Sequence, residues 1–373
     1  MRISFLPFFG LLIAISACTD TTDRVIATVG VGDSPAGIAI TPDGRFAYVA
    51  NDNNDGIMGG DTVSVIDLAT NAVVATIVIP DFGSNLDQPY TVTINAAGTK
   101  AYITNSNVNS ITIIDIATNT ISGTITGFDG PSGMVITPDG NTAYVNNYGG
   151  ALGVGSGNGT TVRVVDLTTN TITGIPITVG LAPAALAITP NGKFVYVANY
   201  VDGNPGTGTV SIIQTSDNTV VGTIPGFSGP FNIVISADGT RAYVTNFGSN
   251  NFSPVGTTVS VIDLTTNQVI DSITVGTQPS GIAITPNGRF AYVTIYNTLY
   301  LGPNYTDLTP GVGTVVIIDL CTNTLLCPVI VVGSSPAEVA ITPDGTRAYI
   351  TNYSSNNVSV ANIVDTMWLN VCS

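Results

Sequence analysis

One string recurs along the chain, and this recurrence limits the fold more than any other feature. It first reads Val31-Gly32-Asp33-Ser34-Pro35-Ala36-Gly37-Ile38-Ala39-Ile40-Thr41-Pro42-Asp43-Gly44-Arg45-Phe46-Ala47-Tyr48-Val49-Ala50-Asn51. Its opening proline returns as Pro89, Pro131, Pro183, Pro230, Pro279 and Pro336. The period is about fifty residues with variable loops, the mark of stacked copies of a supersecondary unit that cannot bury its apolar faces alone.

Each copy holds four short apolar runs bounded by turn residues, for example 281–285, 290–294, 315–320 and 325–332 in the sixth. Most first turns read Thr-Pro-Asp-Gly or Thr-Pro-Asn-Gly, where Pro presets φ and Gly accepts positive φ. The second turn carries Thr-Asn after Asp-Leu, as at Asp67, Leu68, Thr70 and Asn71. Helical periodicity is absent beyond the first residues. The pattern predicts an all-β chain: a seven-bladed β-propeller of four-stranded antiparallel blades. Arg24-Val25-Ile26-Ala27-Thr28-Val29-Gly30 matches the outer run Gln268-Val269-Ile270-Asp271-Ser272-Ile273-Thr274, and the seventh copy keeps register only to about Ile363. The N-terminal strand is therefore expected to complete the last blade and leave the ring without an open edge. Residues 364–373, with the single Trp368, are expected beside that latch.

Composition agrees. Only 9% of residues are charged and 44% are apolar, against roughly 25% charged in ordinary soluble domains. Disorder and coiled coil are excluded, and burial of both blade faces accounts for the low charge.

The N-terminus reads as a leader. Met1 and Arg2 precede an apolar stretch from Ile3 to Ile15 broken by Pro7, too short to span a bilayer. Ile15-Ser16-Ala17-Cys18 resembles the lipobox of bacterial lipoproteins. That resemblance implies cleavage after residue 17, lipidation of Cys18, a polar tether over 18–24 and a single propeller over 25–373. With Thr19 after the cysteine, it also implies a lipoprotein of the outer membrane or cell surface, facing periplasm or exterior and touching the membrane through its anchor only. Export would allow disulfides among Cys321, Cys327 and Cys372. Cys321 and Cys327 flank one hairpin turn, and Cys372 is the competing partner.

The strings Tyr48-Val49-Ala50-Asn51, Tyr102-Ile103-Thr104-Asn105, Tyr144-Val145-Asn146-Asn147, Tyr196-Val197-Ala198-Asn199, Tyr243-Val244-Thr245-Asn246 and Tyr349-Ile350-Thr351-Asn352 recur at one place in six units. They resemble the YVTN β-propeller repeats of archaeal surface-layer and bacterial envelope proteins. In that light the Tyr is a core aromatic and the Asn ties the following loop to backbone groups. The sixth unit departs, with Ile295 in place of Asn.

The chain has no histidine, which excludes Ser-His-Asp and Cys-His catalysis and imidazole-bound metals. A net charge of −15 disfavours nucleic acid and anionic lipid. Binding is the expected role, on the face that carries the variable loops between second and third strands. After the motif Asn, or Ile295, come Asp52, Ser106, Tyr148, Tyr200, Phe247, Tyr296 and Tyr353. Tyr148, Tyr200, Phe247, Tyr296 and Tyr353, with Tyr300 and Tyr305 from the sixth loop, form a candidate aromatic arc for an envelope protein or glycan. The competing reading packs these rings against the next blade.

No cofactor is required, but Ca²⁺ is the metal the acidic loops would suit. Asn51, Asn53 and Asp55 alternate before Gly56, Asp61 closes the same loop, and Asp81 and Asp87 lie in the next long loop. Glu338, the only glutamate, falls on an innermost strand where other units carry mostly small residues. It is expected to line the axial channel as a solvated charge without a catalytic partner. Two alternatives to a binding scaffold remain: a metal-assisted hydrolase using Asp52, Asp55 and Asp81, and a surface-layer-like coat.

Overall fold

The structure, a computed structural model, describes residues 24–52, 61–80, 88–150, 158–201, 206–248, 255–296 and 312–363, with the side chains of residues 327 and 328 also outside the description. Cys18, Asn53, Asp55, Asp81, Asp87, Tyr300, Tyr305, Trp368 and Cys372, to which the sequence assigns roles, lie outside the described residues.

Seven four-stranded antiparallel sheets stand in a ring. In blade 1 the strands run outward as Pro35–Ile40, Phe46–Asn51, Thr62–Asp67 and Ala72–Val78. The last blade borrows its outer strand: Val25–Gly30 pairs with Asn357–Asn362, Gly30 opposite Asn357 and Val25 opposite Ala361. The chain is thus a seven-bladed β-propeller latched by its N-terminal strand, as the repeat arithmetic predicts. Among the described residues the one helical element is a 3₁₀ turn at Tyr353–Ser355.

Burial follows blade order. The second strand is almost wholly enclosed, as in Phe46–Asn51, while the outer strand alternates exposed and half-buried residues, as in Ala72–Val78. Apolar clusters form between neighbouring blades. One holds Tyr48, Val63 and Val65 of blade 1 against Val92, Ala101 and Ile103 of blade 2. Because every sheet is sandwiched by two others, a continuous apolar second strand is the stable choice.

The motif residues divide the work of holding blades together. In blades 1, 3, 4 and 7 the tyrosine hydroxyl donates to the asparagine in the outer turn of the following blade, as Tyr144 to Asn218 Oδ1 at 2.6 Å and Tyr196 to Asn267 Oδ1 at 2.7 Å, whereas Asn170 Oδ1 and Asn323 Oδ1 have no partner. Those asparagines have left-handed backbones, φ +58° at Asn218 and +55° at Asn267, a conformation Asn tolerates better than other side-chain-bearing residues. The motif threonine donates to the inner-strand carbonyl of the following blade, as Thr245 to Ser280 O at 2.9 Å and Thr351 to Ala36 O at 2.8 Å.

The motif asparagine does something other than the expected loop tie. Its amide donates to two hydroxyls on the third strand of its own blade, Asn51 Nδ2 to Thr62 Oγ1 at 2.9 Å and to Ser64 Oγ at 3.0 Å. The same pair recurs as Ser110 and Thr112 for Asn105, Thr209 and Ser211 for Asn199, and Thr258 and Ser260 for Asn246. Blade 6 has converted this clamp to hydrocarbon: fully buried Ile295 faces Thr314, and Val316 replaces the second hydroxyl. Thr314 Oγ1 is left buried without a partner.

The first turns also interlock. Pro138 Cδ lies where a Cβ on Gly192 would come within 3.0 Å of it, and Pro42 faces Gly98 in the same way. Where the preceding turn carries Ala96 or Ala237 instead of proline, Gly140 and Gly288 meet nothing within 4 Å.

Candidate functional site

The inner strands run from the loop face to the turn face, so their first residues define the loop-side end of the axis. Each inner strand has a register shift directly after its opening proline, as between Pro336 and Val339. Such bulges re-aim side chains. The backbone N–H at the bulge is taken up by the motif threonine: Glu338 N to Thr351 Oγ1 at 3.0 Å, Asn232 N to Thr245 Oγ1 at 3.0 Å and Gly281 N to Thr294 Oγ1 at 2.7 Å.

Glu338 occupies this position in blade 7 and is half-buried. Its side chain crosses the inner strand of blade 6, where a Cβ on Gly281 would lie 2.6 Å from Glu338 Oε1. It ends against blade 5, where Asn232 Nδ2 donates to Oε2 at 2.9 Å. Oε1 accepts from Val339 N at 3.1 Å. Loss of hydration pushes the carboxyl up to about 7, although both hydrogen bonds pull it down. Glu338 therefore has a partner two blades away, where a solvated lone charge was expected.

Asp52 is the second unusual carboxyl. It is 8% exposed, and burial pushes it up to about 7, helped by the nearby Asp61 charge and opposed by a hydrogen bond from Tyr353. Tyr353 OH donates to Asp52 Oδ2 at 3.0 Å, which joins blades 7 and 1 across the ring closure, while Asp52 Oδ1 has no partner. Asp61 is buried and accepts from Gln88 N at 3.2 Å. Of the expected calcium ligands, Asn51 and Asp61 are thus described and buried, with the Asn51 amide committed to its hydroxyl clamp. Among the described residues no three His, Cys, Asp or Glu side chains converge as a metal site.

Of the aromatic arc, Tyr148, Tyr200, Phe247 and Tyr296 share one cluster in which rings of neighbouring blades pack on one another. Phe231 stacks between Tyr200 and Phe247 at centroid distances of 6.1 and 5.1 Å, and Phe247 continues to Tyr296 at 5.8 Å. Tyr200 and Phe247 are buried at its base, whereas Tyr148, Tyr296 and Tyr353 are half-buried. Phe231 and Tyr90 belong to this end of the axis and were not picked out from the sequence. They stand directly after the opening proline, where the other units carry Ala36, Ser132, Ala184, Ser280 and Ala337. That contrast was the available signal. Burial raises the Tyr90 hydroxyl well above its ordinary value, with further contributions from Asp52, Tyr148, Glu338 and Tyr353, so Tyr90 lies within electrostatic reach of both carboxyls.

The turn face offers less. Three of its basic side chains are drawn into the fold, Arg347 donating to Leu68 O at 2.8 Å, Arg241 to Leu320 O at 3.3 Å and Arg289 lying 3.6 Å from Asp319, while Arg45 and Lys193 are exposed. A polar cleft of about 830 Å³ opens between blades 3 and 4 beside Asp139, Asp166, Tyr144 and Asn218. Thr137 and Thr168 hydroxyls hold those two carboxyls below the ordinary range, which marks them as turn-forming groups. On the outer rim, Cys321 is disulfide-bonded.

No protein-family model matches the chain. It is 32% identical over 130 residues to the seven-bladed β-propeller protein Rv1057 of Mycobacterium tuberculosis, a match covering 35% of this chain and 30% of that protein. A second protein of that organism, the PE-PGRS family protein PE_PGRS18, is 38% identical over 55 residues, covering 15% of this chain and 12% of the relative. The matches thus span less than a third of either relative. Among solved structures, a chain of Kuenenia stuttgartiensis hydrazine synthase superposes with a TM-score of 0.71 over 89% of this chain and 96% of its own, at 22% identity. At that identity the likeness is one of fold.

Proposed function

We propose that this propeller is a non-enzymatic binding scaffold of the cell envelope, exported and anchored through Cys18, whose loop face receives a protein or glycan. One observation carries the reading: the aromatic cluster Tyr200, Phe231, Phe247 and Tyr296 runs across three adjacent blades at the loop-side end of the axis, with Tyr148, Tyr296 and Tyr353 half-buried around it. Aromatic rings on a rigid base bury large areas on binding at low entropic cost. The absence of histidine from the sequence, which removes Ser-His-Asp and Cys-His catalysis, supports binding over hydrolysis.

The test replaces Tyr148, Tyr296 and Tyr353 together by serine and measures capture of envelope proteins and purified cell-wall glycans by the immobilised protein. Selective capture should fall at least tenfold while the far-ultraviolet spectrum stays unchanged. Undiminished capture would remove the loop face from the account. Palmitate labelling in cells tests the anchor separately: label should enter the wild type and not Cys18→Ser.

A further inference from the structure

The turn-side end of each blade junction is closed by two positions: the residue two before the motif tyrosine, and the residue directly after the third strand of the following blade. Phe46, Phe194 and Phe290 each share an apolar cluster with that second residue, Ile116, Leu264 and Ile363. Arg241 and Arg347 reach the same place and donate to its carbonyl, Leu320 O at 3.3 Å and Leu68 O at 2.8 Å. Blade 2 carries Lys100, with Leu167 at the matching position of blade 3. Between blades 3 and 4 both positions are threonine, Thr142 and Thr215. No large side chain closes that end, and the cleft of about 830 Å³ opens there with both threonines in its lining. The Thr215 hydroxyl is tied back to its own blade through Gly192 O at 2.7 Å.

The cleft offers donors and acceptors together. Asp139 and Asp166 line it as ionised acceptors, held so by the hydroxyls of Thr137 and Thr168. Asn191 and Asn218 line it too, and their Oδ1 atoms are occupied by Lys193 N and by the Tyr144 hydroxyl, so what they offer a ligand is Nδ2. Pro138 and Val164 add an apolar patch. The carboxylates repel an anion, and the amide N–H groups repel a cation. A hydroxyl both donates and accepts, so neighbouring sugar hydroxyls satisfy both kinds of wall group while the C–H face of the ring covers the patch. The volume falls within the range of small-molecule sites, about 300–1,000 Å³.

We propose that the turn-side cleft between blades 3 and 4 binds a neutral sugar of one or two rings, with Asp139 and Asp166 accepting from its hydroxyls and the Asn191 and Asn218 amides donating to them. Thr142 and Thr215 make the room by standing where other junctions carry a seal. A free sugar and the terminal unit of a glycan present the same hydroxyls. The proposal concerns the face opposite the aromatic cluster and stands whether or not the loop face receives a partner.

Saturation-transfer NMR of the purified full chain with glucose, galactose, N-acetylglucosamine and lactose tests it, with glucuronate, putrescine and Ca²⁺ as charged competitors. Saturable binding of at least one neutral sugar is expected. Lactose coupled through its reducing end to a soluble polymer separates the two sources: binding of both forms identifies the terminal unit of a glycan, and binding of the free form alone a small ligand. Thr142→Phe combined with Thr215→Leu rebuilds the Phe194–Leu264 seal and should abolish the signal while the far-ultraviolet spectrum stays unchanged. Asp139→Asn keeps the turn, because Asn191 forms the same turn in blade 4, accepting from Thr189 Oγ1 at 2.7 Å. That variant should bind sugar about tenfold more weakly, the loss expected for one charge-assisted hydrogen bond. Failure of every neutral sugar to bind, displacement of the sugar by any of the charged competitors, or full affinity in the Thr142→Phe, Thr215→Leu protein would overturn the proposal. Binding lost on replacing Tyr148, Tyr296 and Tyr353 by serine but kept in that double variant would move the sugar to the loop face and overturn it equally.

Discussion

The hydroxyl of Tyr349 donates to Asn71 Oδ1 at 2.7 Å, so that the last motif tyrosine in the chain reaches into the outer turn of the first blade. The bond joins residues 278 positions apart and repeats, at the closure of the ring, the tie that Tyr144 and Tyr196 make between consecutive blades. Thr351 adds its bond to Ala36 O, and the N-terminal strand adds a full ladder to Asn357–Asn362. Closure is thus built from the same kinds of tie that join consecutive blades elsewhere, with the borrowed strand added to them.

Removing the hydroxyl leaves Asn71 Oδ1 without its donor inside the fold. Tyr349→Phe should therefore cost about 1–2 kcal/mol, read as a lower urea midpoint. Asn71→Ala should cost more, because φ there is +53° and an alanine in that conformation adds roughly 1 kcal/mol. Asn71→Gly, which accepts the backbone but loses the bond, should fall between wild type and Asn71→Ala.

Blade 6 permits a test of the asparagine clamp. Ile295→Asn alone would bury a carboxamide against Thr314 and Val316, with one hydroxyl where blades 1, 2, 4 and 5 offer two. Denaturation should show a loss of about 1–3 kcal/mol. Adding Val316→Ser should recover at least about 1 kcal/mol of that loss, because the pair then reproduces the geometry of Asn51 with Thr62 and Ser64. A strictly additive double mutant would contradict the clamp.

Glu338 makes stability depend on pH. Its folded pKa, about 7, lies above the ordinary 4.5, so folding binds a proton, and the carboxyl's contribution is fully present below pH 4.5 and lost as pH rises through 7. Glu338→Gln, which stays neutral, should melt like wild type at pH 4.5 and higher than wild type at pH 8. The gain should be on the order of 1–3 kcal/mol. Asp52→Asn should behave alike in direction, since its carboxyl is also pushed up to about 7 by burial.

Much of this architecture is legible in the sequence because it is written seven times. The proline, turn and Tyr-Val-x-Asn positions fix the strands, and the match of 24–30 to an outer strand fixes the latch. The ties between blades are harder to read. Tyr196 and Asn267 lie 71 residues apart, and no local pattern pairs them, although the recurrence of Asn71, Asn119, Asn170, Asn218, Asn267 and Asn323 marks a constrained turn. The placement of Glu338 on an inner strand follows from its offset after Pro336. Its partner Asn232 does not, because the side chain reaches past a whole blade over Gly281. The aromatic arc was visible after the motif asparagine, yet Phe231, which stacks between Tyr200 and Phe247, belongs to a different strand and a different offset.

The central claim is that the loop face, and not the turn face, meets the partner. A photocrosslinking amino acid placed singly at position 148 or 296, or at position 193 beside a first turn, gives the most direct measurement in intact cells. The account predicts discrete adducts from positions 148 and 296 and none from 193. Adducts from 193 alone, or from all three positions equally, would contradict it.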